Sequence, residues 1–260
     1  MKSLIGKAML ILVLMTAQIV QAQQTDEMPV TSKSQEAIKL YEKGLQAYRD
    51  VHIGQAVEHF KAAVAIDSAF FMPNYNLALF NLMFFKNRDD FRKYYQHVVA
   101  TNYRLTPGEL LLQDALEKLA DDTATDVTDL GMQLVELYPN SFTAHEILAE
   151  YQYFARDYGG MEKTLNAMLE MGSNPAPVYN WMGYNYMNMD QLDRAYVAFS
   201  KYLELAPENP NSYDSMGDYL MAVREYQKAY DHYMKAYRMD TVSFKLSREK
   251  ALKAQSLMSD

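Results

Sequence analysis

Apolar residues recur along this chain in paired helix-length segments, with no strand-like alternation. Between Val178 and Asn209, Tyr179, Met182, Gly183 and Tyr186 fall on one helical face. A short turn follows at Asn188, Met189 and Asp190, then Ala195 and Phe199 mark a second helix and Pro207 closes the unit. Shifted by 34 residues the pattern returns as Tyr213, Met216, Gly217 and Leu220, then Ala229, Tyr233 and Ala236. One pair of short amphipathic helices cannot bury its apolar face alone, so successive pairs must stack and share a continuous core. Glycine inside a helix costs about 0.5–1 kcal/mol relative to alanine, so Gly44, Gly183 and Gly217 imply close helix packing. Gly183 and Ala195 are expected to face each other within one pair.

The same register extends through most of the chain. The small-residue position reads Gly44, Ala78, Ala115, Ala149, Gly183 and Gly217, with steps of 34, 37, 34, 34 and 34 residues. Units cover 37–70, 71–104, 108–141, 142–175, 176–209 and 210–243, and the three-residue slip falls around Pro107. The second and third are degenerate. Asp90 and His97 stand at small-residue positions in the second, and Val127 and Gly131 replace an alanine and an aromatic in the third. Residues 23–36 lack periodicity and read as a flexible lead-in. Residues 244–260 read as one capping helix, with Phe244, Ala251, Leu252 and Leu257 inward and Lys245, Arg248, Lys250 and Lys253 outward.

These units resemble the tetratricopeptide repeat, a 34-residue helix–turn–helix motif. Its first helix carries an aromatic or Leu, a Leu-Gly pair and a Tyr; its second carries Ala, Phe/Tyr, Ala and Pro. The resemblance covers 207 of 260 residues, most strongly in the first, fifth and sixth units. It implies an all-α, right-handed α-solenoid of about six repeats plus the C-terminal cap.

The N-terminus changes the picture of where the protein works. Lys2 and Lys7 precede an apolar run from Ala8 to Val20, and Val20-Gln21-Ala22 forms a small-residue cleavage site. That is the layout of a secretory signal peptide cleaved after Ala22, which places the mature chain in the periplasm or outside the cell. The run is too short for a membrane-spanning helix, which needs about 20 residues, and no later stretch qualifies. Cleavage removes two lysines and no acids, leaving 23 basic against 33 acidic side chains. An acidic surface without a basic cluster argues against nucleic acid and anionic lipid. The chain has no cysteine, so disulfides and thiol chemistry are excluded.

Candidate chemistry is sparse. His145-Glu146 begins like a zinc-protease helix, but Ala149 stands where the second histidine belongs. His52 and His59 read as one solvated and one packed histidine. The acidic loop from Asp121 to Asp129 lacks the glycine and closing glutamate of a calcium loop and suits helix capping. Met182 and Met216 are core fillers, not soft-metal ligands. No P-loop or nucleophile elbow occurs, so the chain reads as non-enzymatic, with no cofactor and no metal.

What remains is surface. In the tetratricopeptide family, the first helices line a concave groove that takes peptides. By repeat position the resemblance assigns that face Glu146, Glu150, Tyr153, Asn180, Tyr184, Met187, Asp214, Asp218 and Met221. In the N-terminal half it assigns Tyr41, Leu45, Tyr48, Tyr75, Leu79, Leu82, Leu112 and Leu116. The apolar N-terminal end is either open, or covered by the lead-in or by tight superhelical closure. A chaperone-tail clamp is excluded, because Tyr41, Leu45, Glu109 and Gln113 stand at its Lys, Asn and Arg positions. The expectation is a scaffold or assembly adaptor of the bacterial cell envelope, with four carboxylates attracting a basic peptide of a protein partner. The alternative is a small-ligand or glycan-binding module.

Overall fold

A ring from the second helix of a pair, seated on a glycine of the first, sets the spacing of the best-formed pairs. A Cβ added to Gly44, Gly183 or Gly217 would lie 2.4–2.6 Å from Phe60, Phe199 or Tyr233 respectively. Only glycine lets those rings approach the first helix so closely. The side chain nearest Gly183 is therefore Phe199, and Ala195 is fully buried in the same core.

The computed structural model describes residues 27–83, 85–172 and 174–258. The proposed export segment, residues 1–22, lies outside them. Thirteen helices and no strands occur among the described residues. The first three pairs are α1 (Gln35–Arg49) with α2 (Ile53–Ile66), α3 (Phe71–Met83) with α4 (Arg88–Val99), and α5 (Pro107–Asp121) with α6 (Thr128–Leu137). The next three are α7 (Phe142–Ala155) with α8 (Tyr158–Glu170), α9 (Ala176–Asn188) with α10 (Leu192–Leu205), and α11 (Pro210–Ala222) with α12 (Tyr226–Met239). Helix α13 (Lys245–Ser256) closes the stack against α12. This is an all-α solenoid.

The turns inside the pairs repeat as faithfully as the helices. Val51, Arg156, Asp190 and Arg224 all take positive φ, between 58° and 63°. After each, the backbone closes the same way: Asp190 N–H donates to Met187 C=O and Gln191 N–H to Tyr186 C=O, with equivalent bonds at the other three. These are left-handed caps that satisfy the last carbonyls of the first helix. Glycine is the usual residue there; a β-branched Val51 in that conformation is strained.

The degenerate repeats are bent away from this plan. Gly131 replaces the ring, and α6 packs more on α7 than on its own partner α5. Space above Gly131 is filled from α7, since an added Cβ would meet Leu148 and Tyr151 at 3.0 Å. In the second pair, His97, at a small-residue position, bonds Asn74 Oδ1 through Nδ1 at 3.1 Å.

Two expectations about the ends change. Residues 27–33 are held in place, against the expected flexibility, because hydrogen-bonding groups of the first, third and fourth repeats face them. Ser32 donates to Asp67 (2.6 Å), and Thr31 donates to the buried Glu109 carboxylate through both N–H (2.8 Å) and hydroxyl (2.5 Å). Met28 N–H reaches Ser141 Oγ, and the Glu27 carboxylate accepts from the N–H groups of Phe142 and Thr143 at the start of α7, where the helix dipole favours an anion. In α13 the inward residues are Ser247, Ala251 and Ala254, while Leu246 and Leu252 are exposed and Lys250 turns inward. Two aspartates beneath the cap draw that lysine in.

The superhelix is tight enough for its first pair to meet later ones. Arg49 reaches Glu146, 97 residues away, and the Asn209 amide donates to the Asp50 carbonyl across 159 residues.

Candidate functional site

That closure decides the fate of the residues assigned to the concave face. On the N-terminal half, Tyr41, Tyr75, Leu79, Leu82, Leu112 and Leu116 are core residues, and Leu45 and Tyr48 are half-buried against it. Tyr75 and Tyr151 share a 2.6 Å hydroxyl–hydroxyl bond between the second and fourth pairs. Tight closure, together with the seated lead-in, covers the apolar end.

The carboxylates do not form an open acidic wall. Glu146, 8% exposed, receives bidentate hydrogen bonds of 3.0–3.2 Å from the Arg49 guanidinium. Glu150, 5% exposed, accepts from the Tyr48 hydroxyl at 2.5 Å. Asp214 accepts from Lys250 Nζ at 2.7 Å and from Ser247 at 2.6 Å. Asp218 accepts from Lys250 at 2.9 Å, from Tyr233 at 2.8 Å and from Tyr184 at 2.8 Å. Burial, and the Asp218 carboxylate beside it, hold the Tyr184 phenol well above its ordinary pKa, so it stays a donor. An acid buried at a repeat interface is tolerated when a cation or several donors meet it. The chain supplies Arg49 from α1 and Lys250 from α13. The four carboxylates are therefore spent on closing the solenoid, and charge attraction for a basic segment is not available from them.

Tyr153, Asn180 and Tyr184 stand in a different setting. Together with Trp181, Phe85 and the Arg49–Glu146 pair they line a cleft of about 490 Å³ between the first two repeats and the fourth and fifth. Half of its lining residues are aromatic. Tyr153, 39% exposed, stands edge-on to Trp181 at 6.4 Å, and Phe85 projects half-exposed from the turn after α3. Asn180 is buried, yet its Oδ1 has no hydrogen-bond partner among the described residues. An unsatisfied buried acceptor is costly, about 1–3 kcal/mol. Met187 and Met221 lie outside the cleft, half-buried against the C-terminal core.

Trp181 and Phe85 escaped the repeat-position argument. Trp181 neighbours Asn180 on the family's inward face, and its being the chain's single tryptophan was the available signal. Phe85 belongs to an inter-helix turn, which carries no repeat-position assignment. Among the described residues no group of three His, Asp or Glu side chains is placed to hold a metal ion, and no helix is long and apolar enough to cross a membrane.

Stacked helix pairs around a concave cleft define the class: an all-α solenoid. Residues 176–209, the fifth helix pair, match the family model for the tetratricopeptide repeat. No curated protein matches the sequence. Among solved structures, yeast Tom70 superposes with TM-score 0.57 at 13% identity, over 89% of this chain and 52% of its own. A tetratricopeptide repeat protein from Parabacteroides merdae superposes with TM-score 0.50 at 15% identity, over 85% and 86%. The Cut9-Hcn1 structure aligns with 93% of this chain at 14% identity and TM-score 0.47. This chain spans 45% of that chain and 52% of Tom70, so it matches about half the length of each.

Proposed function

We propose that this protein is a non-enzymatic interaction scaffold of the bacterial cell envelope that seats a short apolar peptide segment of a protein partner in the aromatic cleft. The observation that carries the reading is the cleft itself: Trp181, Tyr153 and Phe85 offer anchoring area, while the buried Asn180 acceptor lacks a donor. Aromatic anchors in a partly enclosed pocket are where binding energy concentrates, and a peptide backbone N–H is the donor an unpaired amide oxygen selects. Export rests on the signal-like residues 1–22, and the exclusion of nucleic acid on the acidic balance. The fold alone supports many functions, so the cleft and not the architecture bears the argument.

The test uses peptides selected on the mature chain from a display library, titrated calorimetrically beside envelope oligosaccharides. Selected peptides are expected to share large apolar anchors, to lack a consistent net charge and to bind with little dependence on salt, since Arg49 and Glu146 cancel within the cleft. Saturable binding of oligosaccharides, with no peptide binding, would make this a glycan module instead.

A further inference from the structure

The wall of the cleft formed by the first repeat is attached to the fourth by a small polar cluster. Arg49 holds Glu146, Tyr48 donates to Glu150, and Tyr75 bonds Tyr151, each across 76 to 102 residues of sequence. Around the Glu150 carboxyl stand Tyr48 and Arg49 from α1, Tyr75 from α3, and Glu146 and Tyr151 from α7. Tyr41 of α1 lines the same small chamber. Among these groups Arg49 is the single cation, its fork is committed to Glu146, and two carboxyls face it. A second ionised carboxylate in so enclosed a place has no cation of its own.

We propose that this cluster is a proton-operated latch: with a proton on Glu150 the first repeat closes on the fourth, and loss of that proton releases the contact and widens the cleft. Burial, then repulsion from Glu146, push the Glu150 carboxyl up to about 8 in the closed form. Once the latch opens, water reaches the group and it titrates near the ordinary glutamate value of about 4.3. The sign follows from linkage. A carboxyl whose pKa is raised on closing favours closure fully below its ordinary value. The closed-to-open ratio then falls about tenfold per pH unit from roughly 4.3 up to about 8, and is level above that. Arg49 and Glu146 line both latch and cleft, so opening the latch alters ligand uptake. That last clause rests on the cleft being the binding site; the latch itself does not.

The chain has no cysteine, so a pair of spin labels can be placed at will. Lys43→Cys on α1 and Asn166→Cys on α8 are both exposed and outside the cluster. The distance distribution between them is expected to show a short population at pH 5.5 and a longer one growing up to pH 8, with no further change to pH 9. Glu150→Gln keeps a neutral hydrogen-bonding group of the same shape, and should hold the short distance throughout. Tyr48→Phe, which removes one link, should raise the long fraction already at pH 5.5. A parent distance constant from pH 5.5 to 9, or a pH response unchanged in Glu150→Gln, would overturn the latch. The readout needs no ligand, so its failure leaves the cleft reading standing, and peptides that bind elsewhere leave the latch standing.

Discussion

Phe199→Ala is expected to lower the free energy of unfolding by about 3–5 kcal/mol, the range for deleting a fully buried phenylalanine ring. The ring has no solvent exposure, fills the space that Gly183 leaves on α9, and stands edge-on to Tyr184 at 5.0 Å. It also reaches Tyr219 of the next pair at 6.4 Å, so its loss weakens one helix pair and the interface that stacks the sixth repeat on the fifth. Packing between adjacent repeats carries most of a solenoid's stability, so a break at one interface loosens what lies beyond it. Chemical denaturation should show the loss together with a broader transition. A cost below about 1 kcal/mol would mean that the glycine–ring contact does not set the pair spacing. Gly183→Leu attacks the same contact from the other side, driving a side chain into the space the ring occupies.

Lys250→Ala is expected to cost about 2–3 kcal/mol at neutral pH. One ammonium there serves both Asp214 and Asp218, and its removal leaves two carboxylates under the cap with only hydroxyl donors. Removing one partner of a buried ion pair typically costs about 3–5 kcal/mol. The lower figure reflects the 28% exposure of the lysine side chain and 24% of Asp218, which lets water share the load. Adding Asp214→Asn and Asp218→Asn to Lys250→Ala should recover most of the loss, because the amides need no counter-charge. Thermal unfolding of the single and triple variants decides this. If the triple variant is less stable than the single one, the lysine contributes through its packed stem and not through charge.

How much of this was legible in the sequence depends on the range of the interaction. The pair spacing is local: glycine or alanine at the anchor position and a ring or small residue sixteen residues on, as with Gly183 and Phe199, lie within one repeat. The concave face could also be assigned by repeat position, and three residues so assigned, Tyr153, Asn180 and Tyr184, line one cleft. Solvation of that face could not. Whether Glu146 meets water or Arg49 depends on superhelical curvature accumulated over three repeats, and no residue pattern spells that out. Lys250 looked like the polar face of a cap because a period of 3.6 cannot foresee aspartates on another helix. The lead-in seemed structureless because Thr31 and Ser32 carry no period, yet Glu109 and Asp67 take their hydrogen bonds. The degenerate third repeat lost its ring where α7 leans over Gly131, a demand set by the neighbour rather than by the repeat itself.

The cleft carries its own reporter. Trp181 is the sole tryptophan of the chain and stands in the cleft wall beside Asn180 and Tyr153, so indole emission excited beyond the tyrosine band reports on that wall. An apolar peptide that enters should strip water from the indole and shift its emission to shorter wavelength. The account predicts that this shift saturates at the same peptide concentration as the calorimetric heat. A calorimetric isotherm that saturates while the Trp181 emission stays unchanged would place the ligand elsewhere and contradict it.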